Sequence, residues 1–253
     1  MKNIFFLIGL MVFVPIVTAG DLSQAVQRVK PSIVAVGTFM PRRAPRAVFR
    51  GTGFVVADGT IIATNAHVVP ENLDTENLEK IAVFIKHDNQ DRMFFATLLE
   101  RDNAHDVALL KIEKGRLPAL QLDVQSKVKE GENYAFTGYP IGMVLGLYPA
   151  THAGIVSAIT PVAVPMIKSR QLDADIVKRL RHSFFVYQMD AIAYPGNSGS
   201  PVYQPQTGRV VGIINSVFVK ESREKILSRP SGISYAIPIK YLHNLLLTTT
   251  KSR

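Results

Sequence analysis

Short runs of β-branched and aromatic residues, each closed by a break, recur along most of this chain. They are Ile33 to Phe39, Gly53 to Val56, Ile81 to Lys86, Val107 to Ile112, Tyr134 to Thr137, Gly154 to Ile159, Phe184 to Met189, Val210 to Val217 and Ile233 to Ile237. Side chains branched at Cβ are stiff in a helix and pack well on a pleated surface, so each run reads as a strand. Asp58-Gly59 and Thr207-Gly208 supply turns between some of them. Many short strands with frequent turns call for a closed barrel or a sandwich, which protects their edges. The expected fold class is therefore all-β.

A few stretches depart from this pattern. In 21-DLSQAVQRVK-30, Asp21 is placed to cap a short helix, Leu22, Ala25, Val26 and Val29 share one face, and Pro31 ends it. In 171-QLDADIVKRLRH-182, Leu172, Ile176, Val177 and Leu180 form an apolar helical face opposite a charged one. At the end, 238-PIKYLHNLLL-247 opens with proline at a helical start and is apolar enough to pack on the body. The sequence has no visible internal repeat. Polar residues 123 to 132 mark a soft boundary midway, dividing the chain into parts 20–125 and 126–253.

Met1 to Ala19 stands apart. Lys2 gives a positive start, Ile4 to Ile16 an apolar run, and Val17-Thr18-Ala19 a small-residue cleavage site. That is the pattern of a signal peptide, residues 1–19, with a retained anchor as the alternative. The run is shorter than a comfortable bilayer span. Export usually permits disulfides, yet the chain has no cysteine. The expectation is a periplasmic or secreted bacterial protein held by its core alone, with no thiol chemistry and no Cys-based metal site. Removing Lys2 with the leader leaves 28 basic against 20 acidic residues. A basic surface suits an anionic membrane or an acidic protein, though it also fits a merely cationic solvated surface. No aromatic residues interleave with Lys and Arg in the manner of a nucleic-acid binder, so no nucleic-acid partner is expected.

The chemistry begins at 194-YPGNSGSPV-202. Gly, Asn, Ser and Pro are ordinary turn residues, so this run could be a turn and nothing more. A serine hydroxyl becomes a nucleophile only with a histidine to take its proton, a carboxylate to orient that histidine, and donors for the oxyanion. His67, in 61-IIATNAHVV-69, ends an apolar strand beside the small Ala66. Asp106, in 105-HDVALLKI-112, leads straight into a buried strand, where a charge is costly without a partner. Asp102 and His105 are its neighbours and competitors. The order histidine, aspartate, serine is that of chymotrypsin and differs from subtilisin and the α/β-hydrolases. Ser198 is thus the candidate nucleophile, His67 the base and Asp106 the orienting acid.

These residues sit in motifs similar to those of the HtrA (DegP-like) trypsin-fold serine proteases. The matching pieces are 51-GTGFVV-56, 64-TNAHVV-69, 106-DVALLKI-112, 138-GYPIGM-143, 154-GIVSAI-159, 190-DAIAYPGNSGSP-201, 210-VVGI-213 and 232-GISYAIP-238. The resemblance implies two six-stranded antiparallel β-barrels, the first carrying His67 and Asp106 and the second Ser198, with short N- and C-terminal helices. It implies a serine endopeptidase acting on polypeptides, with no cofactor and no metal. The backbone N–H groups of Gly196 and Ser198 would form the oxyanion hole. Ile192 would floor the pocket for the residue before the scissile bond, and 212-GIINSV-217 would wall it, with Ile213 and Ile214 lining it. Neither stretch offers an acid for Arg or Lys, so a medium-sized aliphatic residue is expected there. Asn197 replaces the aspartate that pairs with a new N-terminus in digestive enzymes, so no zymogen is expected.

The family also suggests a homotrimer, but the N-terminal segment that would support it is short here. Most members carry a peptide-binding PDZ domain, and none is expected before Arg253. The segment 160–184 is longer than the resemblance predicts and suits a regulatory or docking element. Ser200 gives GNSGSP, a variant shared with the V8-type glutamyl endopeptidases, which are the rival family. A chaperone or adaptor on the same fold, binding without cutting, is the alternative outside the enzymes.

Overall fold

The computed structural model describes residues 22–87, 90–140, 146–162, 184–215 and 232–251. The leader residues 1–19, the expected cap Asp21, the helical pattern at 171–182, most of the long 160–184 segment, and Ser216 and Val217 lie outside them.

The first helix, α1 (Leu22–Val29), buries Ala25 and Val29 and leaves its polar face in solvent. A single tight turn over Lys30–Ser32 holds Pro31 at its start, where the missing N–H costs nothing. Six strands follow: β1 (Ile33–Phe39), β2 (Ala47–Val56), β3 (Ile61–Thr64), β4 (Lys80–His87), β5 (Gln90–Asp102) and β6 (Val107–Ile112). They close into an antiparallel barrel in the order β1-β2-β3-β6-β5-β4. A second six, β7 (Asn133–Gly138), β8 (Ala150–Pro161), β9 (Phe185–Asp190), β10 (Pro201–Tyr203), β11 (Val210–Asn215) and β12 (Ile233–Pro238), close as β10-β11-β12-β9-β8-β7. Read from its first strand, this is the same order. The fold is therefore a repeat that the sequence does not display. The last described helix, α2 (Ile239–Lys251), packs on β5 and β6 of the first barrel and on β11 and β12 of the second.

β5 and β10 are the strands that apolar runs fail to predict. β5, QDRMFFATLLERD, is polar and exposed along much of its length; pairing with both β4 and β6 makes it a strand. β10 is only Pro-Val-Tyr, buried directly behind the Ser198 turn.

Three apolar clusters result. One fills the first barrel around Val34, Ile62 and Leu110. Another fills the second around Phe136, Met189 and Ile214. The third lies between the barrels, joining Phe54 and Leu109 to Tyr139, Tyr203 and Ile213, and it takes in α1 and α2. The connection 113–132 runs across both barrels: Leu120 N–H donates to the Val55 carbonyl at 2.9 Å, and Asp123 N–H to that of Val210 at 2.8 Å.

Candidate active site

β3 and β6 are neighbours in the first barrel, with Thr64 opposite Ala108. Their adjacent ends therefore deliver His67 and Asp106 to one place. His67 stands in a tight helical turn, Ala66–Val68, that follows β3. Asp106 closes the turn before β6 with φ 53°, a left-handed conformation that Asp tolerates better than most residues. The side-chain amide of Asn65 holds this backbone by donating to the Asp106 carbonyl at 3.0 Å.

The hydrogen bonds at the Asp106 carboxylate fix its orientation. Oδ1 accepts the backbone N–H of His67 at 2.9 Å. Oδ2 lies 2.7 Å from His67 Nδ1 and accepts the Nδ2 amide of Asn215 at 2.5 Å. Asn215 ends β11 of the other barrel and is 1% exposed, so this contact locks the two barrels together at the site. His67 Nδ1 is committed to the carboxylate, and Nε2 is the ring nitrogen left for chemistry.

Asp102 and His105, the competing acid and histidine, pair with each other at 2.6 Å. Burial acts to raise the Asp102 carboxyl, but hydrogen bonds from the His105 side chain and the N–H groups of His105 and Ala104 outweigh it and hold it below the usual range. The His105 ring stacks on Tyr241 of α2 at 4.0 Å, with Phe184 edge-on at 4.9 Å. This cluster fastens the Asp106 turn to the end of the chain.

Ser198 faces the first barrel from the turn after β9 and is nearly buried. Thr52 of β2 secures that turn: its N–H donates to the Ser198 carbonyl at 2.8 Å and its hydroxyl to the Gly196 carbonyl at 2.7 Å. A Cβ added at Gly51 would sit 2.7 Å from the Val68 side chain and 3.0 Å from the Ser198 carbonyl. Ser198 is thus within a residue's width of the His67 turn. Gly196 has φ 99° and Gly199 φ 89°, conformations that glycine accepts without strain. At Gly199 a Cβ would also overlap the Thr52 carbonyl oxygen. Among the described residues the Gly196 N–H takes no hydrogen bond, which leaves it able to receive an oxyanion. Asn197 is fully buried and neutral.

The expected specificity residues fare unevenly. Ile192 is half-buried beside Ala191 and Ala193. Ile213 and Ile214 are fully buried, the first in the cluster between the barrels and the second inside the second barrel. Successive side chains on a strand point to opposite faces, and β11 is covered on both. An open cleft of about 500 Å³ lies beside His67, lined also by Asp106, Asn215, Arg50, Arg101 and Glu71. Arg50 Nε donates to the Val68 carbonyl at 2.9 Å, and Arg101 to those of Val69 and Pro70 at 3.0 and 3.3 Å. Among the described residues no cluster of three or more His, Cys, Asp or Glu side chains is placed to hold a metal.

Sequence reasoning missed Asn215, Thr52, Arg50 and Arg101 as supports of the site. The signal for Thr52 was its place between two glycines in GTGF, and for Asn215 a lone amide closing a run of buried apolar residues.

Residues 51–213 match the family model of the trypsin-like peptidase domain. A probable periplasmic serine endoprotease, DegP-like, from Halomonas elongata is 33% identical over 189 residues, covering 75% of this chain and 32% of the relative. The serine protease HTR4 of Bos taurus is 30% identical over 231 residues, covering 89% of this chain and 40% of its own. The chain thus spans about a third to two fifths of these curated relatives. The crystal structure of the serine endoprotease from Yersinia pestis superposes with a TM-score of 0.62 at 25% identity, covering 92% of this chain and 68% of that one.

Proposed function

This chain belongs to the trypsin-like peptidase family, and we propose that it is an exported serine endopeptidase that cuts unfolded or exposed polypeptide segments through an acyl-enzyme at Ser198. The observation that carries this is the pairing of His67 Nδ1 with Asp106 Oδ2 at 2.7 Å, which holds Nε2 in the tautomer a general base requires. The Ser198 hydroxyl attacks the scissile carbonyl carbon while His67 Nε2 takes its proton. The carbonyl oxygen becomes an oxyanion that the N–H groups of Gly196 and Ser198 stabilise. Collapse expels the amine, which collects the proton from His67, and leaves an ester on Ser198. Water, deprotonated by the same nitrogen, then hydrolyses the ester and restores the serine. The Asp106 carboxylate orients the ring and stabilises the imidazolium, and Asn215 keeps that carboxylate in line.

Aliphatic residues before the scissile bond fit this reading. The half-buried Ile192 between two alanines offers a small apolar contact and no charge for Arg, Lys or Glu. With Ile213 and Ile214 buried, β11 contributes its main chain and not a bulky wall. Export is supported by the leader-like pattern of residues 1–19 and by the periplasmic naming of the DegP-like relatives.

A fluorophosphonate probe tests the core of the proposal. Wild type is expected to label once, at Ser198, and Ser198→Ala not at all. A folded wild type that stays unlabelled even with unfolded protein present removes the peptidase reading and favours a binding role.

A further inference from the structure

A second groove, of about 560 Å³, lies on the first barrel. Leu73, Leu78, Ile81 and Leu98 give it an apolar lining, and Glu71 and Glu113 add charge. Leu78 is 62% exposed and Leu98 42%. Leu78 also holds φ 60°, a left-handed backbone that a leucine adopts only under strain. An exposed apolar side chain on a strained backbone is costly twice over.

The loop that presents Leu78 is firmly braced. Asp74 accepts both the N–H and the side-chain amide of Asn77, at 3.1 and 2.8 Å. The Glu79 N–H donates to the Asp74 carbonyl at 2.9 Å, while the Glu79 carboxylate accepts the Asp74 N–H, the Thr38 hydroxyl and the Arg43 guanidinium. Leu78 is therefore held outward in one place, and a ligand meets a preorganised contact with little left to order.

The groove adjoins the cleft beside His67. Glu71 lines both, and the main chain steps from Val69 in the cleft to Pro70 in the groove. The ridge between them is the strip directly after His67, whose carbonyls Arg50 and Arg101 pin. A polypeptide lying across His67 passes over this fixed ridge into the apolar lining. The charge is selective as well. On a protein with formal net charge +9, Glu71 and Glu113 have no ion-pair partner among the described residues. The lining lysine, Lys80, lies over the Phe95 ring.

We propose that this groove is an exosite for the substrate chain itself, receiving an aliphatic side chain next to a lysine or arginine while the scissile bond of the same chain lies at Ser198. The proposal rests on the peptidase reading of the cleft.

The test uses an internally quenched peptide with valine before the cut, and versions lengthened at either end by a Gly-Gly-Leu-Leu-Lys arm. One arm is expected to lower KM about tenfold in wild type, the scale of one buried leucine side chain, with kcat little changed. Leu98→Ser should remove that gain, and Glu113→Lys should transfer it to an arm ending in glutamate. Equal KM values for short and lengthened peptides in wild type would overturn the proposal, as would an equal loss on both peptides in Leu98→Ser. Anisotropy of the labelled, lengthened peptide on Ser198→Ala separates the two readings. Binding weakened about tenfold by Leu98→Ser supports the groove even if no peptide is cut. Binding indifferent to Leu98 and Glu113 rejects it even if cleavage is robust. A change in oligomeric state on Leu98→Ser, with peptide binding unaltered, would assign the groove to self-contact and equally reject it.

Discussion

Asn215→Ala removes the side-chain donor that the second barrel supplies to Asp106. The Nδ2 amide meets Oδ2 at 2.5 Å, and Asn215 is 1% exposed. A hydrogen bond to a charged group contributes about 1.5–3 kcal/mol. If the full amount were lost at the transition state, the rate would fall roughly 10- to 150-fold. The Asp106 side chain keeps 21% exposure, so water replaces part of the loss. The expected drop in kcat therefore lies near the lower end, about 10- to 30-fold, with KM little changed. The assay is steady-state cleavage of a quenched peptide in a double-mutant cycle with Asp106→Asn, after circular dichroism has shown each variant to be folded. Asp106→Asn alone should cost about 10⁴ in kcat, and adding Asn215→Ala to it should cost hardly more. An Asn215→Ala enzyme within twofold of wild type, or losses that simply multiply, would refute the claim that Asn215 acts through the carboxylate.

Other perturbations read other parts of the molecule. Single losses of His67 or Ser198 should each leave only about a ten-thousandth of the activity or less, and the double loss should be scarcely worse; additive losses would mean that the two work separately. Gly131 and Gly199 share φ near 85–89°, but a Cβ at Gly131 meets open space while one at Gly199 meets the Thr52 carbonyl. In urea melts, Gly131→Ala is expected to cost about 1–2 kcal/mol for the backbone alone, and Gly199→Ala about 3 kcal/mol or more; equal costs would contradict the packing. The Thr38 hydroxyl above all, with the Asp74 N–H and Arg43, holds the Glu79 carboxyl below its ordinary range against the effect of burial. The unfolded chain thus takes up that proton first, so the stabilisation is whole above about pH 4.3 and is lost as pH falls through the lower, folded value. Glu79→Gln should flatten that part of the stability profile, and an unchanged acid limb would count against it. Mass-spectrometric mapping of cuts in an unfolded protein should find Val, Ala, Ile or Leu before most of them; a majority after Glu would favour the V8-type reading.

What could be read from the chain alone depended on whether a residue's role was local. His67, Asp106 and Ser198 each stand at the end of a strand, next to small or turn residues, and their order along the chain narrows the fold that can unite them. Asn215 carries a weaker mark, a lone amide closing an apolar run. Its role exists only because β11 brings the rim of one barrel against the Asp106 turn of the other. Ile213 and Ile214 illustrate the same limit from the opposite side. As a wall strand β11 is expected to offer these side chains to a pocket, but it has the barrel interior on one face and the neighbouring barrel on the other, and both side chains lie in the core. β5 was illegible because its polar residues alternate with too few apolar ones, and partners on both edges decide its conformation. The repeated strand order is invisible for a related reason: pairing is a property of backbone, and different side chains can fill two equal barrels.

The two terminal helices are crossed. α1 begins the chain yet leans on the second barrel, where Arg28 donates to the Gln206 carbonyl at 3.2 Å and Val29 packs near Gly208. α2 follows the second barrel and packs on its β11 and β12, yet it also reaches β5 and β6 of the first, with Tyr241 under the His105 ring. A chain that emerges with its N-terminus first, from a ribosome or through a membrane, thus exposes the α1 face long before its receiving barrel exists. The turn bearing Asp106 likewise waits for α2, which follows the second barrel. Maturation of the catalytic cleft becomes a matter of timing: a nascent or truncated chain can carry His67, Asp106 and Ser198 and still lack the clasp that sets them. A cleft built this way has a delay written into its order of synthesis, and it comes into register only once α2 has been made.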